Sequence, residues 1–167
     1  MSKSVTFNEK ARLGLKKGVD LIADSIKVTL GPRGRNVIYG FAYGYPICTK
    51  DGVTVARQVE SKDQLEQMGV QLVRQVAVKT ADDTGDGTTT ASLLTQAIYT
   101  EGLKSLGAGG NPVLIKRGID KAVDKVVSFI ESISIKVRNE QDILNVATVS
   151  ANNDKEIAKT TVEILKT

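Results

Sequence analysis

Histidine is missing from this chain, and cysteine occurs once. Without histidine, Ser-His and Cys-His nucleophilic catalysis and the commonest zinc sites are excluded. A lone cysteine, Cys48, rules out an internal disulfide and fits a reducing compartment. It falls in a run that reads as strand, where a small core residue is expected rather than a nucleophile. Aromatic residues make up only 4% of the chain. The core must therefore come from Val, Ile, Leu and Ala, which suits packed helices. No apolar run reaches the ~20 residues needed to span a bilayer, so no membrane association is expected. No block of like charges is long enough to form a nucleic-acid tail. Met1-Ser2-Lys3-Ser4-Val5-Thr6-Phe7 has neither an apolar signal core nor the Arg-rich character of a transit peptide. A cytoplasmic location is the expectation.

What is present is enough for a folded domain. A chain of 167 residues suits one domain or slightly more and can bury roughly 70% of the surface its unfolded form exposes. Hydrophobic residues are 41% and charged residues 25%. The net charge of +4 allows a mild attraction for anions, nucleotides included. A nucleic-acid-binding module would rest on that charge alone, without basic clustering or aromatic interleaving, so no nucleic-acid partner is expected.

Periodicity divides the chain into helices with one hairpin. Asn8 is placed to cap a first helix with the stripe Ala11, Leu15, Val19, Ile22, Ile26 and Leu30. Gly31-Pro32-Arg33-Gly34 stops it. Residues 36–39 and 45–49 read as strands around a glycine-bounded loop. Val53-Thr54-Val55-Ala56 reads as a short strand or the start of a helical turn. Ser61 and Gln64 form a capping-box pattern ahead of a helix striped by Leu65, Met68, Leu72 and Val76. A further helix runs from about Thr88 to Leu106 and another from Pro112, with Asn111 as its cap. Ile133, Ile135 and Val137 mark an extended linker, and short helices open at Asn139 and at Asn153 or Asp154.

Asp83-Thr84-Gly85-Asp86-Gly87-Thr88-Thr89-Thr90 is the most informative stretch. It reads as a loop feeding a helix N-terminus. Glycines let backbone N–H groups approach an anion, and the unpaired amides and dipole of the following helix favour negative charge. Thr hydroxyls can donate to phosphate oxygens, and a lone carboxylate can hold a divalent cation against them. The competing reading is a plain turn with Thr88 as N-cap. Two further glycine-bearing loops, residues 29–34 and Lys50-Asp51-Gly52, each sit at the end of a regular element. Convergence of all three would surround a triphosphate. Neither a Walker pattern nor G-x-G-x-x-G occurs, so such a site is not a P-loop or dinucleotide fold.

These motifs, in this order, resemble the N-terminal part of a group I, GroEL-type chaperonin. The resemblance is carried by residues 28–37 (VTLGPRGRNV), 49–57 (TKDGVTVAR) and 85–91 (GDGTTTA). Shorter matches lie at 96–98, 101–104, Asn111-Pro112, 116–123 and Ser150-Ala151-Asn152. It extends from about Phe7 to the last residue. It implies a mainly α fold: part of the helical equatorial domain with a small β-hairpin over 1–133, and the start of the intermediate domain over 134–167. It implies ATP or ADP with Mg²⁺ and K⁺. Asp86 would hold Mg²⁺, and Gly87, Thr88, Thr89 and Thr90 the β- and γ-phosphates. Thr29, Leu30, Gly31 and Pro32 would line the α-phosphate and sugar side. Lys50 would help close the phosphate and monovalent-cation region, with Asp51 an auxiliary acid influencing hydrolysis. Lys50 and Val53 fit the bacterial and organellar group, and the missing transit peptide then points to a bacterial or phage source.

The resemblance also implies a homo-oligomeric ring of seven subunits, with unfolded client proteins and a co-chaperonin as partners of the apical domain. Family chains are far longer, and the part matched here lacks the apical domain and the catalytic Asp of the returning intermediate segment. Thr167 carries no terminating signal, so the end reads as an interruption. The expected function is an ATP-dependent chaperonin subunit. The alternative is a non-hydrolysing nucleotide-binding or assembly fragment. Residues 39–45 depart from the family pattern, holding four of the chain's seven aromatics. They either pack across the hairpin or make hairpin 37–49 a sticky edge at a subunit contact.

Overall fold

The structure, a computed structural model, describes residues 5–31, 33–40, 44–151 and 153–165. Pro32, the hairpin-tip residues Phe41, Ala42 and Tyr43, and Asn152 lie outside the described residues. The elements in chain order are α1 (Asn8–Lys27), β1 (Val37–Tyr39), β2 (Ile47–Thr49), α2 (Gly52–Gln58), α3 (Gln64–Thr84), α4 (Thr88–Gly107), α5 (Pro112–Ile133), α6 (Glu140–Ser150) and α7 (Lys155–Ile164). This is the mainly helical fold with one hairpin that the periodicity predicts. None of these helices is long and apolar enough to cross a membrane among the described residues.

Two compact units divide between Asn111 and Pro112. In the first, α1, α3 and α4 pack on one another, and α2 lies against α1 and α3. Its core is Val19, Ile22 and Ile26 of α1, Val55 and Ala56 of α2, and Val70, Val73 and Ala77 of α3. Val37, Val59 and Tyr99 pack at the margin. In the second unit α6 packs on α7, burying Ala158 and Val162. No residue of α5 is buried; Val126, Phe129, Ile130 and Ile133 are all exposed.

Two glycines govern how α1 meets α3. A Cβ on Gly18 would lie 1.8 Å from the Glu66 carbonyl oxygen, and one on Gly69 would lie 2.2 Å from that of Leu15. The backbones therefore meet where only glycine fits. This contact turns Gly69, Val70, Val73 and Ala77 inward. The expected α3 stripe is displaced as a result: Met68 and Leu72 are about half exposed, at 55% and 48%. Summed side-chain hydrophobicity favours the larger residues, but the backbone approach selects the face that carries Gly69.

Helix termini bring further corrections. Asn8 is the first residue of α1, with φ 58, and Phe7 holds the cap position without a side-chain bond. Leu30 lies beyond α1, because Thr29 turns back with both its N–H and its hydroxyl on the Ile26 carbonyl. Residues 53–56 are helical, since Asp51 caps α2 by accepting from Val53 and Thr54. Asp63, not Ser61, caps α3. Ser61 instead donates from its hydroxyl to Glu66 and from its N–H to Gln67. The caps Asn139 and Asp154 occur as predicted. Arg74 joins α3 to the end of α2, donating to the carbonyls of Ala56 and Val59.

The hairpin pairs Val37 with Thr49, Ile38 with Cys48 and Tyr39 with Ile47. Val37 faces the core margin, so the alternation puts Ile38 and Cys48 on the opposite face. Cys48 is exposed, contrary to the expectation of a core residue. A two-stranded hairpin offers one covered face, and its register sends Cys48 to the other.

Gly18→Ala should therefore lower the unfolding free energy by about 2 kcal/mol or more, through overpacking that outweighs the gain in helix propensity. Gly102 is also helical, but a Cβ there meets nothing within 4 Å. Gly102→Ala should raise stability by about 0.5–1 kcal/mol. Urea denaturation of both variants checks the pair, and a Gly18→Ala protein as stable as its parent would refute the close-approach argument.

Candidate functional site

The Asp-Gly loop is tighter than its sequence implies. Asp83 and Thr84 belong to the last turn of α3, so only Gly85, Asp86 and Gly87 connect it to α4. Gly85 is left-handed at φ 73 and caps α3 through its N–H to the Ala81 carbonyl at 2.9 Å. Gly87 is left-handed at φ 84 and occupies the N-cap of α4 in place of Thr88. Two left-handed residues flanking one acid reverse the chain within three residues, and glycine takes that conformation without a Cβ penalty. The Thr84 hydroxyl lies 2.7 Å from the carbonyl oxygens of both Thr80 and Asp86. Asp86 Oδ1 accepts the Gly87 N–H at 2.6 Å. Its Oδ2 has no protein partner among the described residues.

Gly87 supplies no side chain to cap α4. The N–H groups of Thr88, Thr89 and Thr90 consequently find no acceptor among the described residues, as expected for an uncapped first turn. Their hydroxyls add donors, and the helix dipole adds partial positive charge.

The other two loops come to this same helix start. Thr29 Oγ1 lies 3.4 Å from Thr89 Oγ1, and Thr29 is 7% exposed. Gly31, at φ 72, turns the chain. Gly34 N–H then donates to Gly31 and Arg35 N–H to Val28, at 2.9 and 2.7 Å. A Cβ on Gly34 would lie 2.2 Å from the Thr29 carbonyl oxygen, so that loop closes only with glycine. Gly52, the first residue of α2, is buried against Thr88, Thr89 and Ile26. A Cβ there would lie 2.4 Å from Thr89 Oγ1 and 3.1 Å from Ile26 Cγ2.

Thr29, Gly52, Thr88 and Thr89 are thus brought together. Leu30 and Thr90 border a groove of about 610 Å³ between α1 and α4, floored by Leu93, Leu94 and Ala97. Lys50 is half-buried and immediately precedes the cap residue Asp51. Asp51 is exposed, and its carboxylate is already engaged with the N–H groups of Val53 and Thr54 and with the Thr54 hydroxyl. Pro32 lies outside the described residues.

Two contributors, Gly52 and Gln96, lie in the matched segments 49–57 and 96–98 but receive no site role of their own from the sequence. Gly52 reads as an ordinary turn glycine, whereas its role is to let two helix starts touch. Gln96 lies two turns inside α4 and donates to Asp20 at 2.9 Å and Asp24 at 3.1 Å. Hydrogen bonds from Lys27 and Gln96 hold the Asp24 carboxyl below its ordinary pKa. Only the polar character of Gln96 on a largely apolar helix hints at this.

Among the described residues no three of His, Cys, Asp and Glu gather into a metal cluster. A divalent cation at this site would draw on Asp86 together with oxygens of a bound anion. Mg²⁺ is commonly held in that way, by one or two carboxylates and phosphates.

A helical unit whose chain reversals present glycines, hydroxyls and an open helix N-terminus to one point is suited to binding an anion. The model of the TCP-1/cpn60 chaperonin family matches residues 22–167, and the chain belongs to that family. The chaperonin gp146 of the Pseudomonas aeruginosa bacteriophage EL, crystallised in the presence of ATP-BeFx, is 29% identical with a TM-score of 0.77. The match covers 94% of this chain and 28% of that one. A group III chaperonin in the open state shares the fold at a TM-score of 0.78 and 24% identity, over 92% of this chain and 31% of that one. The chain therefore spans less than a third of the length of these relatives.

Gly52→Ala should drive Thr89 away from Thr29 and lower stability by about 1–3 kcal/mol. Amide resonances of Thr88 and Thr89 should shift more than those of Val70 and Val73. Unchanged Thr88 and Thr89 resonances would show that α2 does not press on this site.

Proposed function

We propose that this chain is the N-terminal portion of a group I, GroEL-type chaperonin subunit, of bacterial or phage origin and acting in the cytoplasm. Residues 1–133 then belong to its ATP-binding equatorial domain and 134–167 to the start of its intermediate domain. The observation that carries the reading is the meeting of Thr29, Gly52, Thr88 and Thr89 at an uncapped helix start. The ATP analogue present with the phage relative supports it.

On this reading the amides and hydroxyls of Thr88, Thr89 and Thr90, with Gly87, bind the β- and γ-phosphates of ATP or ADP. Thr29, Leu30, Gly31 and Pro32 line the α-phosphate and sugar side. Lys50 contributes positive charge to the phosphate and K⁺ region. Asp86 presents Oδ2 to Mg²⁺ while Oδ1 is fixed by Gly87 N–H. Mg²⁺, when bound, neutralises phosphate charge, and positioning with charge neutralisation supplies most of the rate in phosphoryl transfer. Asp51 acts as an auxiliary acid whose carboxylate is held by the α2 cap.

That engagement of Asp51 also favours the second reading, in which this chain alone binds nucleotide without turning it over. Sustained turnover by the isolated chain would exclude that alternative. In the complete subunit the same domain would serve a homo-oligomeric ring of seven, with unfolded proteins and a co-chaperonin as partners.

Asp86→Ala should weaken Mg²⁺-dependent ATP binding by at least about tenfold, or ~1.4 kcal/mol, by calorimetry. Undiminished Mg²⁺-dependent binding would refute the assignment.

The hairpin supplies the proposed ring contact. Ile38 is 71% exposed and Tyr45, just before β2, 95% exposed, leaving apolar side chains at the hairpin suited to contact with a neighbouring subunit. Ile38→Ser with Tyr45→Ser should shift the sedimentation of oligomers toward smaller species. An unaltered distribution would place the contact elsewhere.

A further inference from the structure

The seam between α1 and α4 buries little of α4 completely: Tyr99 packs at the core margin, and Leu93 and Ala97 only line the groove. Ser92 is the one buried residue of α4 among the described residues. Leu94 and Ile98 are exposed at 56% and 44%. Partial apolar packing of this kind holds α4 on the core without fixing its axial position closely, because the hydrophobic effect is non-directional and scales with buried area. Polar contacts span the seam instead. Thr89 meets Thr29 at 3.4 Å, and the Tyr99 hydroxyl donates to the Arg12 carbonyl at 3.3 Å. Between them Gln96 Nε2 donates to Asp20 Oδ1 at 2.9 Å and to Asp24 Oδ1 at 3.1 Å. The outer two contacts are long. The central one is charge-assisted at both acceptors, which makes its hydrogen bonds stronger than neutral ones.

The geometry depends on the amide. One NH₂ group carries two protons in a fixed plane, and Asp20 and Asp24 lie one turn apart on the same face of α1. A primary amide can donate to both at once. Sliding or rotating α4 on α1 would break at least one bond and leave a carboxylate short of a donor. The carboxylates are themselves held: Lys16 pairs with Asp20 at 2.5 Å and Lys27 with Asp24 at 2.6 Å. Gln96 therefore reads a prepared pair of acceptors rather than two mobile side chains. Thr89 is seven positions earlier on α4, two helical turns away, so the register set at Gln96 is delivered to the first turn.

We propose that Gln96 is the positioning residue that locks α4 in register on α1 and so holds Thr88, Thr89 and Thr90 beside Thr29. The inference rests on the phosphate-binding role given to those threonines. It assigns Gln96 no contact with the ligand.

The test uses the full chain with Gln96→Leu and Gln96→Glu. Amide hydrogen exchange is followed without nucleotide, and Mg-ATP binding is followed by calorimetry. Gln96→Leu should speed exchange across the first turns of α4 by about tenfold while leaving Val70 and Val73 of α3 unchanged, as a local opening would. Its Mg-ATP affinity should fall by about tenfold. Gln96→Glu sets a third carboxylate against Asp20 and Asp24, with Lys16 and Lys27 on α1 and Glu101 on α4 as the other charges near the seam. Its defect should be severe at about pH 7.5 and relieved toward about pH 5.5, because like charges raise the pKa of the introduced carboxyl and its protonated form can donate again. A merely structural role would raise exchange evenly through α1, α3 and α4 and give no recovery on acidification; that result overturns the proposal. So does exchange and affinity in Gln96→Leu equal to the parent. If Gln96→Leu does not fold, the Gln96→Glu comparison at the two pH values decides. A parent protein that binds no Mg-ATP would sink the nucleotide reading, while the exchange pattern would still decide whether Gln96 sets the register.

Discussion

The backbone contact of α1 with α3 at Gly18 and Gly69 is the constraint on which the rest of the first unit depends. Close approach of two helices needs the absence of side chains, and these residues supply it on both partners. Once Gly69 faces Leu15, the neighbours Val70, Val73 and Ala77 must point inward against Val19, Ile22 and Ile26. Val55 and Ala56 of α2 fill the remaining side, and Arg74 reaches from α3 to the last carbonyls of α2. The start of α2 is thereby brought against the start of α4. Core packing and site geometry are two ends of one arrangement, and the link runs through small residues.

The parts of this fold legible in the sequence are those decided locally. Helix existence followed from periodicity, and the caps at Asn139 and Asp154 from residue chemistry. The parts that were not legible depend on partners far along the chain. No local signal distinguishes the Leu65–Met68–Leu72 stripe from the Val70–Val73–Ala77 face, because the choice is made by a glycine fifty residues away. Cys48 looks like a core residue in any strand; only the pairing with Ile38 and a single covered face place it outside. Ser61 has capping-box chemistry, but Asp63 is nearer the helix and takes both amides.

The candidate site shows the same division. Gly85, Asp86 and Gly87 announce themselves by composition, and their left-handed conformations justify both glycines. The meeting of three loops could be expected from the resemblance to chaperonins, but the atoms that make it possible could not. Gly52 touches Thr89 through what it lacks. Gln96 acts through two aspartates on another helix, more than seventy positions away in sequence. Gly52 and Gln96 fall inside matched segments, but what each does depends on a partner that the segment itself does not show.

Helix starts differ in how their first amides are satisfied. Asp51, Asp63, Asn139 and Asp154 cap α2, α3, α6 and α7 by accepting from first-turn amides. The start of α4 has Gly87 instead. Relative to a good side-chain cap, glycine at this position costs only a few tenths of a kcal/mol, because water reaches the open amides. A capping carboxylate there would occupy the donors that an incoming phosphate needs and would repel it as well. Moving the acid one residue back, to Asp86, leaves the amides open and keeps a carboxylate beside them. On the proposed reading, a small loss in helix stability creates a place for an anion and a cation together, on a helix tied to α1 by the polar contacts of Gln96 as well as by packing.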